Sequence, residues 1–92
     1  MEAGNVNQFL EEITWQEETI LFNGKKYFFN PWEHQGIGRL EIQQWNLKDE
    51  WVSDFFYVEG KTTDECVKKM VAAPIWDGKT FWEAESEMTW TD

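Results

Sequence analysis

The chain is poor in the residue types from which catalytic and metal sites are built. Its one cysteine, Cys66, cannot close an internal disulfide, and one cysteine with one histidine, His34, cannot supply a structural zinc site. Calcium loops need a patterned run of oxygen ligands around a glycine, and no such run is present. Serine occurs only at Ser53 and Ser86, neither in a nucleophile-elbow setting. Gly36-Ile37-Gly38 is too short and too isolated to cradle a phosphate. No apolar run approaches the length of a membrane span. The expectation is a non-enzymatic protein without metal or cofactor. MEAGNVNQ has neither the basic region nor the apolar run of an export signal, so with its lone thiol the chain is expected in a reducing cytoplasm.

Positive charge is also scarce. Eight Lys and Arg stand against 18 Asp and Glu, a net charge of −10. Affinity for nucleic acid rests on cations that neutralise phosphates, so direct binding to nucleic acid and to membranes is not expected. The expected partner is a basic protein, such as a nucleic-acid-processing enzyme with a positive groove. Acidity for solubility alone is the competing reading.

Aromatic residues are abundant instead, at 17% of the chain with seven tryptophans. Ninety-two residues form one domain, 1–92, with a single core. Seven indoles exceed what so small an interior holds, so one to three should remain partly exposed, where tryptophan serves as a binding anchor.

Val6, Phe9, Leu10 and Ile13 recur at helical spacing behind Asn5, a cap residue, and predict a short N-terminal helix. Thr19–Phe22 and Lys25–Phe29 flank Asn23-Gly24, the pair best suited to the positive φ angles of a type I′ turn, and predict a hairpin. Asn30-Pro31 is expected to end the second strand and residues 32–38 to form a loop. A third strand runs from about Arg39 to Leu47, with a change of parity that a bulge near Gln43 or Gln44 would repair and that a sheet covered on both faces would explain equally well. Trp51–Val58 carries large apolar groups on both faces and reads as an inner fourth strand. Thr62 and Glu65 match a capping box before an apolar stripe of Cys66, Val67, Met70 and Val71, predicting a helix over Thr63–Ala72 that Pro74 ends. Thr80 with Glu83 is a second box. The residues after it also alternate strictly, so both helix and strand fit 81–90; cap and propensity favour a helix from Phe81 to about Ser86 with an extended end. The fold class expected is α+β: a four-stranded antiparallel meander with a short N-terminal helix and one or two C-terminal helices on one face.

For function, the acids and the aromatics are the material. If 81–90 is extended, Glu83, Glu85 and Glu87 line one face, and if it is helical Glu83 and Glu87 are neighbours on one side, so either geometry gives a negative ribbon beside Trp82; Trp76 and Trp32 offer further anchors and Asp49-Glu50 a second acidic corner. These eight residues are the candidate partner-binding set. His34 as a general base beside Glu33 or Asp54 is weighed against an ordinary surface histidine, and Cys66 as an activated thiol against a small buried hydrophobe; the bland reading is taken for both. In size and charge the chain is similar to the small acidic inhibitors of phages and mobile elements and to nuclease immunity proteins, an analogy that rests on no motif. That analogy implies a nucleic-acid mimic that blocks a basic cleft. The alternatives are a carbohydrate or small-ligand module using Trp51, Phe55 and Tyr57, and an accessory subunit or homo-oligomer joined through exposed aromatics.

Overall fold

The computed structural model describes residues 1–91. Its order is α1 (Val6–Glu12), β1 (Glu18–Phe22), β2 (Lys25–His34), β3 (Ile37–Trp45), β4 (Trp51–Gly60), α2 (Thr63–Ala72), α3 (Phe81–Ala84), a 3-10 turn (Glu85–Glu87) and β5 (Thr89–Thr91). The strands form one antiparallel sheet in the order β4-β3-β2-β1-β5, so the expected meander is present with a fifth strand added beside β1. The helices pack on one face.

The caps act as the residue types predict. The Asn5 carboxamide accepts from the N–H groups of Asn7 and Gln8 to start α1. Thr62 Oγ1 accepts from Glu65 N, while the Glu65 carboxylate accepts from Lys61 N instead of closing the box on Thr62. At α3 the box closes in both directions: Thr80 Oγ1 accepts from Glu83 N, and the Glu83 carboxylate accepts from Thr80 N at 2.9 Å. The helix is thus the conformation that wins after Thr80, and chain extension resumes only at Thr89.

Two strand boundaries differ from expectation. Asn23 and Gly24 take φ of 52° and 72° and close the first hairpin, but β2 then runs through Pro31 to His34. The segment expected as a loop is a second tight hairpin, turned by Gln35 and Gly36 at φ 49° and 77°. Its closing pair is His34 with Ile37, and hydrogen bonding alternates from there, so Pro31 opposite Leu40 directs its ring nitrogen away from β3. On that side β1 has already ended, at Glu18 opposite Phe29. The missing N–H therefore deprives no ladder of a donor, and the proline is accommodated mid-strand.

The fourth strand is a sheet edge, not an inner strand. Its apolar residues on both faces come from irregularity. Register shifts between Ile42 and Gln43 and between Gln44 and Trp45 leave Phe55 and Val52 of β4 without cross-strand partners. The shifts fall at the Gln43 and Gln44 steps where a bulge is expected, but the extra residues belong to β4, so Trp45 stays on the side of Arg39, Glu41 and Gln43 and is not returned to the core. One consequence is that Phe55 and Phe56 both pack toward the helices, with the Phe55 ring 4.7 Å from Tyr27 and 5.0 Å from Trp76.

The core lies between the sheet and the helices. Ile20, Phe22, Tyr27, Phe29, Leu40 and Ile42 come from the strands, Phe9 and Ile13 from and just beyond α1, Cys66, Val67 and Met70 from α2, and Phe81, Ala84 and Met88 from the C-terminal segment. Trp76, in the turn between α2 and α3, fills the centre: its ring meets those of Phe22, Tyr27, Phe29, Phe55 and Phe81 at centroid distances of 5.0 to 6.3 Å. The second hairpin is tied to α2 by the Glu33 carboxylate, which accepts from Thr63 N at 2.8 Å. Gly38 lies against the Thr62 backbone, and a Cβ there would meet the Thr62 oxygen at 2.6 Å and Thr63 N at 2.7 Å. No helix among the described residues is long and apolar enough to cross a membrane.

Candidate functional site

Alternation along the strands sends every second side chain away from the helices, onto a face that none of them covers. Pairing lines these residues up in rows. One row crosses Trp51, Trp45, Lys26, Leu21 and Thr89; the next crosses Asp54, Gln43, Phe28, Thr19 and Thr91. Toward the second hairpin follow Tyr57, Glu41 and Asn30, then Glu59, Arg39 and Trp32. Trp32, Trp51 and Tyr57 are 45%, 54% and 51% exposed, far more than aromatic rings in a covered sheet.

Polar side chains order this face. Trp45 Nε1 donates to Gln43 Oε1 at 3.1 Å, and Gln43 Nε2 donates to Glu41 Oε1 at 2.7 Å, so one amide fixes an indole and a carboxylate along β3. Arg39 lies 4.7 Å over the Trp32 ring, and its Nε is 3.7 Å from Glu59 Oε1. The Tyr57 hydroxyl donates to the same Glu59 oxygen at 2.5 Å, which, ahead of its burial, holds the tyrosine above the ordinary phenol range. Lys26 pairs with Asp49 at the opposite end.

Two shallow clefts interrupt the face. One, of about 290 Å³, is lined by Thr19, Lys26, Phe28, Trp45 and Asp49; the other, of about 220 Å³, by Asn30, Trp32, Arg39, Glu41 and Tyr57. A third depression of about 310 Å³ lies round the sheet end between Trp15 and Trp32, floored by Thr14, Pro31, Glu33 and Thr63.

No family model, curated protein or solved structure matches the chain. Function has to be read from its own residues.

The eight residues singled out from sequence do not share a surface. Trp32 is on the open face, with Asp49 and Glu50 in the turn at its far end; Glu50 accepts from Asn46 Nδ2. Trp82 is 51% exposed, but on α3, against Phe81. Glu83 is used by the cap of α3, Glu85 Oε2 is 2.6 Å from the Met1 amino group, and Glu87 meets Lys79 Nζ at 3.1 Å. A helix followed by a 3-10 turn does not line these three carboxylates up as a strand would, and each is engaged locally. Trp76 is fully buried and is no surface anchor: the turn that Pro74 introduces folds it inward, beneath five other rings.

The triad Trp51, Phe55 and Tyr57 is broken as well, since the bulge turns Phe55 to the core while the other two remain outside. Sequence reasoning missed Trp45, Arg39 and Glu41. The signal was present in the strict odd parity of Ile37, Arg39, Glu41, Gln43 and Trp45, all on the open face once the register is known. His34 lies exposed near Trp32, with ring centroids 5.9 Å apart. Cys66 is buried, and that burial pushes its thiol up, away from nucleophilic use. Among the described residues no group of three or more His, Cys, Asp and Glu is placed to hold a metal ion.

Proposed function

We propose that this chain is a non-catalytic binding protein that lays the open face of its sheet against a basic surface of a partner protein. The partner class that fits best is a nucleic-acid-processing enzyme whose groove the protein occupies as an acidic mimic of the polyanion, in the manner of an inhibitor. The observation that carries the reading is the face itself. Trp32, Trp45, Trp51 and Tyr57 stand on it among the carboxylates of Glu41, Asp54 and Glu59, and among the described residues of these rows the permanent cations are Lys26, which pairs with Asp49 at the end of the face, and Arg39. Exposed indoles suit slow dissociation, and a chain of net charge −10 suits steered association with a positive surface.

Affinity capture from lysate with the wild-type chain and the W32A/W51A double variant tests this. Both substitutions are of exposed side chains, and circular dichroism checks that the fold is kept. The expected capture is a basic, nucleic-acid-binding protein that duplex DNA competes away, that associates more slowly as salt is raised, and that the double variant loses. Equal retention by the double variant, or a partner indifferent to salt and DNA, refutes the proposal.

A further inference from the structure

The cleft bounded by Asn30, Trp32, Arg39, Glu41 and Tyr57 has a composition that selects one kind of side chain. We infer that it is a subsite for a guanidinium group, filled by an arginine of the basic partner; this rests on the docking proposed above and names its chemistry at one point. The chain itself shows the mode of recognition, because its own Arg39 guanidinium sits 4.7 Å over the Trp32 ring and reaches the Glu59 carboxylate. Glu59 is spoken for, by Arg39 and by the Tyr57 hydroxyl. Glu41, between Asn30 and Tyr57 in its row, has a single partner, the Gln43 amide on Oε1, and meets no cation among the described residues.

A carboxylate fixed by an amide, next to an exposed phenol ring and a carboxamide, offers what a guanidinium uses. Its edge donates two N–H groups to Glu41, its plane stacks on Tyr57, and the Asn30 oxygen takes a further N–H. An ammonium has neither the plane nor the fork, so lysine gains only the charge. Incoming positive charge is balanced by the uncompensated carboxylate, with no need to displace Arg39.

The test uses hexa-arginine and hexa-lysine peptides, equal in charge, titrated against the 15N-labelled protein while the indole N–H resonances of Trp32 and Trp45 are followed. Hexa-arginine is expected to move the Trp32 signal saturably and to bind roughly tenfold tighter than hexa-lysine, about the worth of one charge-assisted bidentate contact. E41Q, which keeps the Gln43 contact and the fold, is expected to remove that preference, and Y57F to keep most of it. Equal binding of the two peptides, an unchanged preference in E41Q, or a Trp32 shift produced by a panel of neutral oligosaccharides instead of hexa-arginine overturns the inference. Capture of the partner separates the two ideas. A partner retained while the peptides fail to discriminate sinks the subsite and leaves docking standing; discrimination by peptides with no partner captured sinks docking alone.

Discussion

Replacing Trp76 tests how the interior is built. The indole is fully buried, and among the described residues its Nε1–H finds no hydrogen-bond partner, a rare condition for a buried donor. Two terms of opposite sign therefore attend each substitution. In W76A the cavity is walled by the rings of Phe22, Tyr27, Phe29, Phe55 and Phe81, which are held from several elements and cannot collapse together. The cost should be about 3–5 kcal/mol, a large part of the roughly 5–14 kcal/mol that a domain of this size has. W76F keeps most of the ring and loses about three ring atoms, costing ~2–3 kcal/mol, while removal of the unpaired donor returns about 1–3 kcal/mol. W76F should then lie within about 2 kcal/mol of wild type. Urea unfolding followed by far-ultraviolet circular dichroism gives both values through the midpoint at constant slope. The bluest component of tryptophan emission should vanish in both variants, since Trp76 is the one fully buried indole. If W76F costs as much as W76A, the N–H has a partner such as a trapped water and the reasoning fails; if W76A costs under about 1 kcal/mol, the ring is not the centre of the core.

Gly38→Ala should destabilise by more than the ~1 kcal/mol of an ordinary strand substitution, because the new methyl meets Thr62 and Thr63 backbone that is fixed by the start of α2; a urea midpoint equal to wild type would refute the close approach. Glu83 is held below its ordinary value of 4.5, first by the Thr80 backbone N–H and then by the Thr80 hydroxyl, so its contribution is present above about pH 4.5 and is lost as pH falls through the lowered folded-state value. Melting temperatures between pH 6 and 3 should accordingly fall less steeply in E83Q than in wild type, and parallel curves would remove Glu83 from the acid response.

What was legible in the sequence was local. Asn5, Thr62 and Thr80 specify helix starts through oxygens that reach N–H groups two or three residues on, and Asn23-Gly24 specifies a turn through its tolerance of positive φ. Such rules involve only neighbours along the chain. Pro31 shows where they stop: whether a proline breaks a strand depends on whether a partner strand lies on the side its nitrogen faces, and that is decided by where β1 begins. Trp76 fails for the same kind of reason. Placed after Pro74 in a turn, it has the local character of an exposed anchor, and only the convergence of β1, β2, β4 and α3 makes that position interior. The line of three carboxylates expected of an extended end depended on alternation that a capping box overrides. The open face required both register and sidedness, neither of which hydrophobic pattern alone fixes when aromatic residues occupy both parities.

The edges of the sheet bear on how the open face would be used. A long unpaired strand invites pairing with other chains, and β4 offers ten residues of it, yet several features blunt the invitation. Val52 and Phe55 break its register twice, Asp54 and Glu59 add charge, and Lys69 Nζ occupies the Glu59 carbonyl at 3.0 Å. At the other side β5 has only three residues, and Glu2 bridges to it, donating to Met88 O and accepting from Trp90 N. With one edge bulged and charged and the other short and covered, strand addition is disfavoured at both. The exposed aromatic rings are therefore best reached from in front, by a surface laid on the face. That geometry suits side chains inserted into clefts better than a strand added alongside, which is why an arginine of the partner, and not a length of its backbone, is the contact to test.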